Sequence, residues 1–265
     1  MPRDQLVLGP LAKFVEVVDG RFRPAERLKS ANGRILLHRT AVLDDDLVDE
    51  PVLKTAVKYN LGQGERAGTS ASDLVEAVAR RRQAAMDGLG PIRRVELRMW
   101  GALVTGTATG RVRDVGIELD GTYGWPVLPG SSLKGVTREY ARQHGKPSTE
   151  IFGSEPEADE HIPGAVRFFD ALPGPGGVEV VEHVLTPHTR GYRSAAGSGS
   201  PAPPGEHINP VPIPFLAVER GAFIAYLAGP EPHLSAAADL LKEAVDELGV
   251  GAKTASGYGY LEATI

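Results

Sequence analysis

The sequence predicts an α+β domain in which an antiparallel sheet is covered on one face by two helices. From residue 95 onward the hydrophobic periodicity gives the order strand, helix, strands, helix, strand. An insertion rich in proline and glycine interrupts the middle of this order. This is the βαββαβ plan of the ferredoxin-like class, which RNA-recognition modules also use.

The residues before the main domain predict an N-terminal extension over 1–90 and a ferredoxin-like domain over 91–265. Within the extension, apolar residues recur at helical spacing and predict one amphipathic helix over 72–87. The alternation that begins at Val95 then predicts the first strand of the main domain, running to Val104.

Two β-rich runs, Ala165–Ala171 and Gly177–Leu185, are joined by a proline-glycine turn, so we expect them to pair or lie adjacent. A flexible insertion follows at about 194–214, because this stretch is dominated by glycine, serine, alanine and proline. Next, Phe215–Val218 and Ala222–Leu227 flank a polar, glycine-containing tripeptide, which predicts a hairpin.

The C-terminal part of the chain predicts a helix and a last strand. A buried stripe runs from Leu234 to Leu248, and Gly249 stands at the C′ position where such a helix ends. The run from Tyr258 to Ile265 predicts the closing strand.

A second helix is predicted after residue 130, with Ser131 as its N-cap and Ser132 beside it. Lys134, Arg138 and Arg142 are four residues apart and therefore form a basic side on this helix. Helix N-termini carry partial positive charge and unpaired N–H groups. We therefore expect phosphate to bind at the serine-led end.

The sharpest motif is the glycine-rich turn between the last helix and the last strand, Gly249 to Gly259. Its glycines permit positive φ, and successive backbone N–H groups in such a turn can cradle a phosphate. The predicted contacts are Gly251, Lys253, Thr254, Gly257 and Tyr258. A nucleotide-binding P-loop does not fit, since Ala252 precedes the lysine and the turn leads from helix to strand.

Composition limits the alternatives. The formal net charge of −5 argues against nucleic-acid binding unless charge is segregated locally. Such segregation is present, since acidic residues concentrate at 43–50 and basic residues at Arg80-Arg81-Arg82 and Arg93-Arg94. With no cysteine, no apolar run long enough to cross a bilayer and no secretory pattern at its start, the chain is expected in a reducing cytoplasm.

The sequence resembles the RAMP superfamily of CRISPR proteins, most closely the sixth-subunit branch of its Cmr members. Besides the glycine-rich turn, four segments carry the resemblance in the right order, and they are Gly124–Gly135 with Arg138, Ile151–Ser154, Gly164–Ala171, and Val184–His188 through Tyr192.

The resemblance implies a RAMP fold and an architectural role. Its expected partners are CRISPR RNA, its RNA target and other Cmr backbone subunits of a type III-B complex, with no cofactor, metal or membrane. We expect His188, Tyr192 and Arg193 to join the two predicted basic elements in holding RNA.

A catalytic role is the alternative hypothesis. A metal-independent endoribonuclease needs a histidine or tyrosine beside a basic group, and His188, Tyr192 and Arg193 could supply them. A metal site made of Asp170, His183 and His188 is less favoured, because nothing in the sequence fixes their convergence.

Overall fold

The computed structural model describes residues 6–8, 15–18, 21–24, 41–43, 69–106, 117–146, 149–154, 161–186 and 212–265. Near the N-terminus, two antiparallel strand pairs are present. Strand β1 (Leu6–Leu8) pairs with β4 (Ala41–Leu43), and β2 (Val15–Val18) pairs with β3 (Arg21–Pro24).

The rest of the described chain contains four α-helices and five strands, besides a short 3₁₀ helix at Thr254–Ser256. In chain order they are α1 (Thr69–Asp87), β5 (Ile92–Met99), α2 (Gly130–Gln143), α3 (Thr149–Phe152), β6 (Arg167–Phe168), β7 (Leu172–Leu185), β8 (Ile213–Ala228), α4 (His233–Glu247) and β9 (Leu261–Thr264). No helix in these ranges combines the length and the apolar character that a bilayer crossing requires.

The main sheet has the strand order β6-β8-β5-β9, and β7 also pairs with β8. All of these pairs are antiparallel. Helix α2 follows β5 along the chain, and α4 connects β8 to β9. The predicted α+β class with an antiparallel sheet is therefore confirmed.

One face of the sheet carries the main core, beneath α2 and α4. Inward-facing β5 and β8 side chains alternate with outward ones, and they pack against the apolar stripes of the two helices. The fully buried members from these four elements include Val95, Leu97, Phe223, Ala225, Leu227, Leu133, Leu234 and Leu241.

Helix α1 lies against the opposite face. The Arg82 guanidinium donates to the Ile224 carbonyl at 3.1 Å and lies 5.0 Å from the centre of the Tyr226 ring. The Tyr226 hydroxyl in turn donates to Gln83 Oε1 at 2.8 Å. The helix predicted over 72–87 is thus present, and it is attached to the main sheet.

The predicted hairpin at 215–227 is wrong. Residues 213–228 form one strand, whose first part pairs with β7 and whose second part pairs with β5. Gly221 lies at the junction with φ +106°, and an added Cβ there would collide with the Gly177 carbonyl oxygen. Glycine therefore lets the chain bend at this point without leaving the sheet.

The two β-rich runs predicted before it also differ from the structure. Only Arg167–Phe168 of the first run is a strand, and the expected proline-glycine turn at 172–176 belongs to β7. The two strands do not pair with each other but lie one after the other along β8, with Phe168 opposite Leu227 and Leu172 opposite Ile224. The pairing register shifts between Pro173 and Val178, where the proline-glycine segment departs from the regular ladder.

The insertion predicted at about 194–214 lies outside the described residues up to position 211. Its last two residues, Ile213 and Pro214, are the start of β8. The predicted boundary is therefore too late. At the C-terminus, the predicted helix is present as α4, Gly249 follows it with φ +69°, and the last strand is shorter than expected.

Candidate nucleic-acid interface

Backbone hydrogen bonds attach the glycine-rich turn to the chain segment that follows β5. Val250 N–H donates to the Gly259 carbonyl, Gly259 N–H to Ala102, and Ala252 N–H to Val104, each at 2.8 Å. An added Cβ at Gly259 would collide with the Val250 carbonyl oxygen. The close approach that requires glycine here is thus between parts of the protein's own backbone.

Fewer backbone N–H groups of the turn are available to a phosphate than predicted. Gly257 N–H donates to the Thr254 carbonyl at 2.9 Å, and Tyr258 N–H donates to the Lys253 carbonyl at 3.3 Å. A phosphate at Gly257 or Tyr258 would have to break one of these bonds, since each backbone nitrogen carries only one hydrogen. The expectation that successive N–H groups of the turn point at a ligand is therefore wrong for these two residues.

Lys253 has an unusual backbone conformation. With φ +63° and ψ +29° it is left-handed, and among the described residues it is the one non-glycine residue with positive φ. The residue is exposed, and its ammonium lies 5.2 Å from the centre of the Phe215 ring. This contact holds the charge at the surface of the turn.

A small aromatic cluster supports the turn from below. The Tyr258 hydroxyl and His183 Nδ1 are 2.9 Å apart, and the rings of both lie within 6 Å of the Phe215 ring. Phe215 also packs with Val104 in a small buried cluster separate from the main core. Tyr258 therefore serves to anchor the turn to β7 and β8, in addition to its predicted contact role.

Helix α2 begins two residues earlier than predicted. Its N-cap is Pro129 without a capping side chain, so the prediction of Ser131 as the N-cap is wrong. Gly130 N–H donates to Asp170 Oδ1 at 2.8 Å. A carboxylate of the protein thus occupies part of the place that we expected a phosphate to take, while Ser131 is exposed and Ser132 is half-buried in the first turn.

The basic side of α2 is present, but its three cations differ. Burial lowers the pKa of Lys134, and the positive charge of Arg138 lowers it further. Arg138 donates to the Phe152 carbonyl at 3.0 Å, and Arg142 forms an ion pair with Glu139 at 2.6 Å. Lys134 and Arg138 therefore repel each other, and an anion placed between them would relieve that repulsion.

The serine-led end of α2 and the glycine-rich turn, the two predicted phosphate contacts, lie apart in the structure. At the other end of α2, the Tyr140 hydroxyl donates at 3.0 Å to Glu247, which lies two residues before the turn begins. Because α2 has 14 residues and is therefore about 20 Å long, its two ends lie well apart. The C-terminal end of α2 approaches the turn, and the serine-led end meets Asp170 instead.

Two further predictions concern residues outside this geometry. His188, Tyr192 and Arg193 lie outside the described residues. In the less favoured metal site, Asp170 Oδ1 already accepts from Gly130, and His183 contacts Tyr258. Within the ranges that the structure describes, no group of three or more histidine, aspartate or glutamate side chains is arranged to hold a metal ion.

The basic run at 80–82 serves different purposes at each position. Arg82 is a structural residue that also donates to the Asp170 carbonyl, Arg81 donates to the Tyr123 hydroxyl, and Arg80 lies 3.8 Å from Glu76. Arg93 is bonded to Glu231 at 2.5 Å, and Arg94 lies 3.5 Å from Glu96. Neither basic run is simply a patch of solvated charge.

Trp100 lies beside the turn and is not among the predicted contact residues. The sequence predicts it as part of a strand, but β5 ends at Met99 and Trp100 is 81% exposed. Its backbone N–H and that of Gly101 both donate to the Tyr260 carbonyl at 3.2 Å, at the end of the glycine-rich turn. In the sequence, the only sign of this residue is an aromatic side chain next to a glycine. Whether that side chain is exposed depends on where β9 and the turn lie in the fold.

Comparison with known proteins defines the class. Residues 100–262, more than half of the chain, match the model of the RAMP superfamily. The chain belongs to the RAMP superfamily.

Within that superfamily the chain is similar to the CRISPR system Cmr subunit Cmr6 of Pyrococcus furiosus, with 31% identity over 219 residues. The match covers 60% of this chain and 64% of that relative, so the chain spans less than two thirds of the relative's length. The resemblance to the sixth-subunit branch of the Cmr proteins is confirmed.

One solved structure supports the fold. A chain in the cryo-EM structure of a type III-B Cmr-β complex bound to cognate target RNA superposes with a TM-score of 0.58 at 22% identity, covering 77% of this chain and 69% of that one. The crystal structure of Pyrococcus furiosus Cmr6 gives a TM-score of 0.38 at 27% identity, covering 66% of this chain and 98% of that one. The first of these supports the fold, and the second is too distant in shape to add to it.

Proposed function

We propose that this protein is an architectural subunit of a type III-B Cmr effector complex, where it binds CRISPR RNA and target RNA and contacts neighbouring Cmr subunits. Its similarity to a Cmr6 subunit and to a chain of an RNA-bound Cmr-β complex supports this assignment. The protein acts in the cytoplasm, where CRISPR RNA and invading RNA meet. By the same resemblance, its RNA contacts lie near the end of the complex away from the 5′ tag.

One observation in the site carries the RNA-binding part of the proposal. Four glycines of the turn have positive φ, and they are Gly249, Gly251, Gly257 and Gly259. Position 253 has the same left-handed geometry but carries a lysine, which costs about 1–2 kcal/mol relative to glycine. Strained residues of this kind cluster at functional sites. The exposed ammonium at this strained position is therefore the phosphate contact of the turn.

The test exploits opposite effects on stability and binding. Replacing the lysine by glycine in Lys253→Gly removes the strain, so the free energy of unfolding stays level or rises. Binding to single-stranded RNA weakens, and the slope of log K against log salt falls by about one. Both quantities are measured on the full chain, by urea denaturation and by fluorescence anisotropy with labelled CRISPR repeat RNA.

Two matched variants sharpen this experiment. Lys253→Arg keeps the charge and should retain most of the affinity, whereas Lys242→Ala removes an exposed charge from α4 and should change neither stability nor binding appreciably. An Lys253→Gly protein that binds RNA with unaltered salt dependence would contradict the proposal.

We propose further that the subunit does not itself cleave RNA. The competing endoribonuclease hypothesis depends on His188, Tyr192 and Arg193. Purified protein incubated with repeat RNA in EDTA should leave the RNA intact if the subunit is architectural. Cleavage at one position, abolished in His188→Ala, would establish the enzyme instead.

We also propose that the main domain has the ferredoxin-like βαββαβ arrangement. Supporting this is the strand order β6-β8-β5-β9, in which α2 follows the first strand in sequence and α4 precedes the last. In this assignment β6 and β7 together take the place of the second strand, since both pair with β8.

A further inference from the structure

We propose that Trp100 is a stacking platform for an unpaired RNA base held beside the glycine-rich turn. The inference rests on the proposed function and adds a base contact to the phosphate contacts considered so far. It assigns a role to an aromatic side chain that neither the fold nor the turn explains.

The backbone of Trp100 is fixed while its side chain is exposed. Its N–H and that of Gly101 share the Tyr260 carbonyl, and an added Cβ at Gly101 would lie 3.0 Å from the Gly257 carbonyl oxygen. The indole is therefore attached to a segment whose position relative to the turn is set by close backbone packing. A platform of this kind loses little conformational freedom when a base stacks on it.

The side chains around Trp100 are charged, unlike those at the centre of a protein interface. Arg98, two residues earlier, has a side chain that is 65% exposed and bonded to Glu96 at 3.0 Å. The residue opposite Arg98 on β9 is the exposed Glu262. The centre of a protein interface is depleted of charged residues, so charges this close to Trp100 argue against a protein partner. Unpaired bases stack on single exposed aromatic rings of this kind.

The chain's other tryptophan shows the contrast. Trp125 is half-buried and stacked on Tyr123, with ring centroids 4.7 Å apart and an angle of 21° between the ring planes. Its ring face already has an aromatic partner inside the protein. Trp100 offers the same kind of surface to solvent.

The chain contains two tryptophans, so fluorescence can report on one of them. In Trp125→Phe, the remaining emission comes from Trp100. Titration of this full-length variant with single-stranded oligouridine should quench that emission along the same curve as binding measured by anisotropy. Trp100→Ala should bind about 10-fold more weakly, and Trp100→Phe should lose less, because each stacked base contributes on the order of a tenfold effect.

The salt dependence separates this contact from the lysine contact. Trp100→Ala should weaken binding without changing the slope of log K against log salt, since no phosphate contact is lost. RNA binding with unaltered affinity in Trp100→Ala, or without quenching in Trp125→Phe, overturns the stacking inference and leaves the proposed function standing. If the unaltered chain does not bind RNA, both the stacking inference and the proposed function are overturned.

A protein interface would give a different result. In that case the Trp100 emission would not change on adding RNA but would shift to the blue on adding a neighbouring Cmr subunit, and the stacking inference would be overturned.

Discussion

Asp170 accepts a hydrogen bond from the backbone N–H of Gly130 at 2.8 Å, and this bond joins the segment after β6 to the first residue of α2. The approach is possible only with glycine, because a Cβ at position 130 would collide with the Phe168 carbonyl oxygen. A carboxylate at this end of a helix interacts favourably with the helix dipole. The pair therefore stabilises α2 and at the same time repels other anions from its start.

Replacing Asp170 by alanine should lower the free energy of unfolding by about 1 kcal/mol, the usual effect of losing a side chain that caps a helix. Asp170→Asn keeps an oxygen acceptor for the Gly130 N–H and should lose less. Urea denaturation of both variants measures the difference. Equal stability of the alanine variant and the unaltered protein would mean that the bond contributes nothing.

Two glycines of the turn provide a matched comparison. Gly259→Ala introduces a Cβ that collides with the Val250 carbonyl oxygen, whereas the space around a Cβ at Gly257 is open. Both have positive φ, so both should lose about 1–2 kcal/mol from backbone strain. Only Gly259→Ala should lose more than that, together with RNA affinity, as measured by urea denaturation and RNA titration. A similar loss in both variants would show that the turn adjusts to the extra carbon.

Replacing Lys134 or Arg138 should affect RNA binding and stability to different extents. Arg138→Ala removes the bond to the Phe152 carbonyl and should lower the free energy of unfolding by about 1 kcal/mol as well as weakening RNA binding. Lys134→Ala should weaken RNA binding while changing stability by less than about 0.5 kcal/mol. The lowered pKa of Lys134 means that the folded protein disfavours its charge, so neutralising it is not expected to destabilise the fold. A large stability loss in Lys134→Ala would contradict this view.

Glu139 should contribute to acid sensitivity. Hydrogen bonds from Arg142 and then Gln143 lower the pKa of this carboxyl to about 2, below its ordinary value of 4.5. Its contribution to stability is therefore present above about pH 4.5 and is lost as the pH falls through about 2. Between these values, the stability of Glu139→Gln should fall less steeply than that of the unaltered protein. Thermal unfolding as a function of pH measures both curves, and parallel curves would rule out the effect.

Elements with a clear period could be predicted from the sequence. Helices α1 and α4 were found near their predicted positions, because their apolar stripes are long and end at glycine. The predicted hairpin is absent for a tertiary reason, since β7 and β5 pair with the two parts of β8 and keep residues 219–221 within one strand. The preference of this short segment for a turn stabilises the chain less than the hydrogen-bonded strand pairs on either side of it.

The residue types of the candidate site could be predicted from the sequence, but the contacts between them could not. The lysine and glycines of the turn stand out in the sequence, yet the use of their amides depends on Ala102 and Val104, which lie about 150 residues earlier in the chain. The partner of the α2 N-terminus is likewise distant, since Asp170 lies 40 residues after Gly130. Contacts of this range are set by the fold and leave no local pattern.

The alternation of core-facing side chains along β8 shifts by one residue between Val218 and Phe223. Val218 and Leu216 belong to the main core, while Phe215 and Ala217 belong to the small cluster beneath the glycine-rich turn. Deleting one residue in this interval would exchange the two pairs, sending the aromatic ring into the helical layer and two aliphatic side chains toward the turn. The number of residues in this segment thus determines which side chains of β8 face the main core and which face the small cluster.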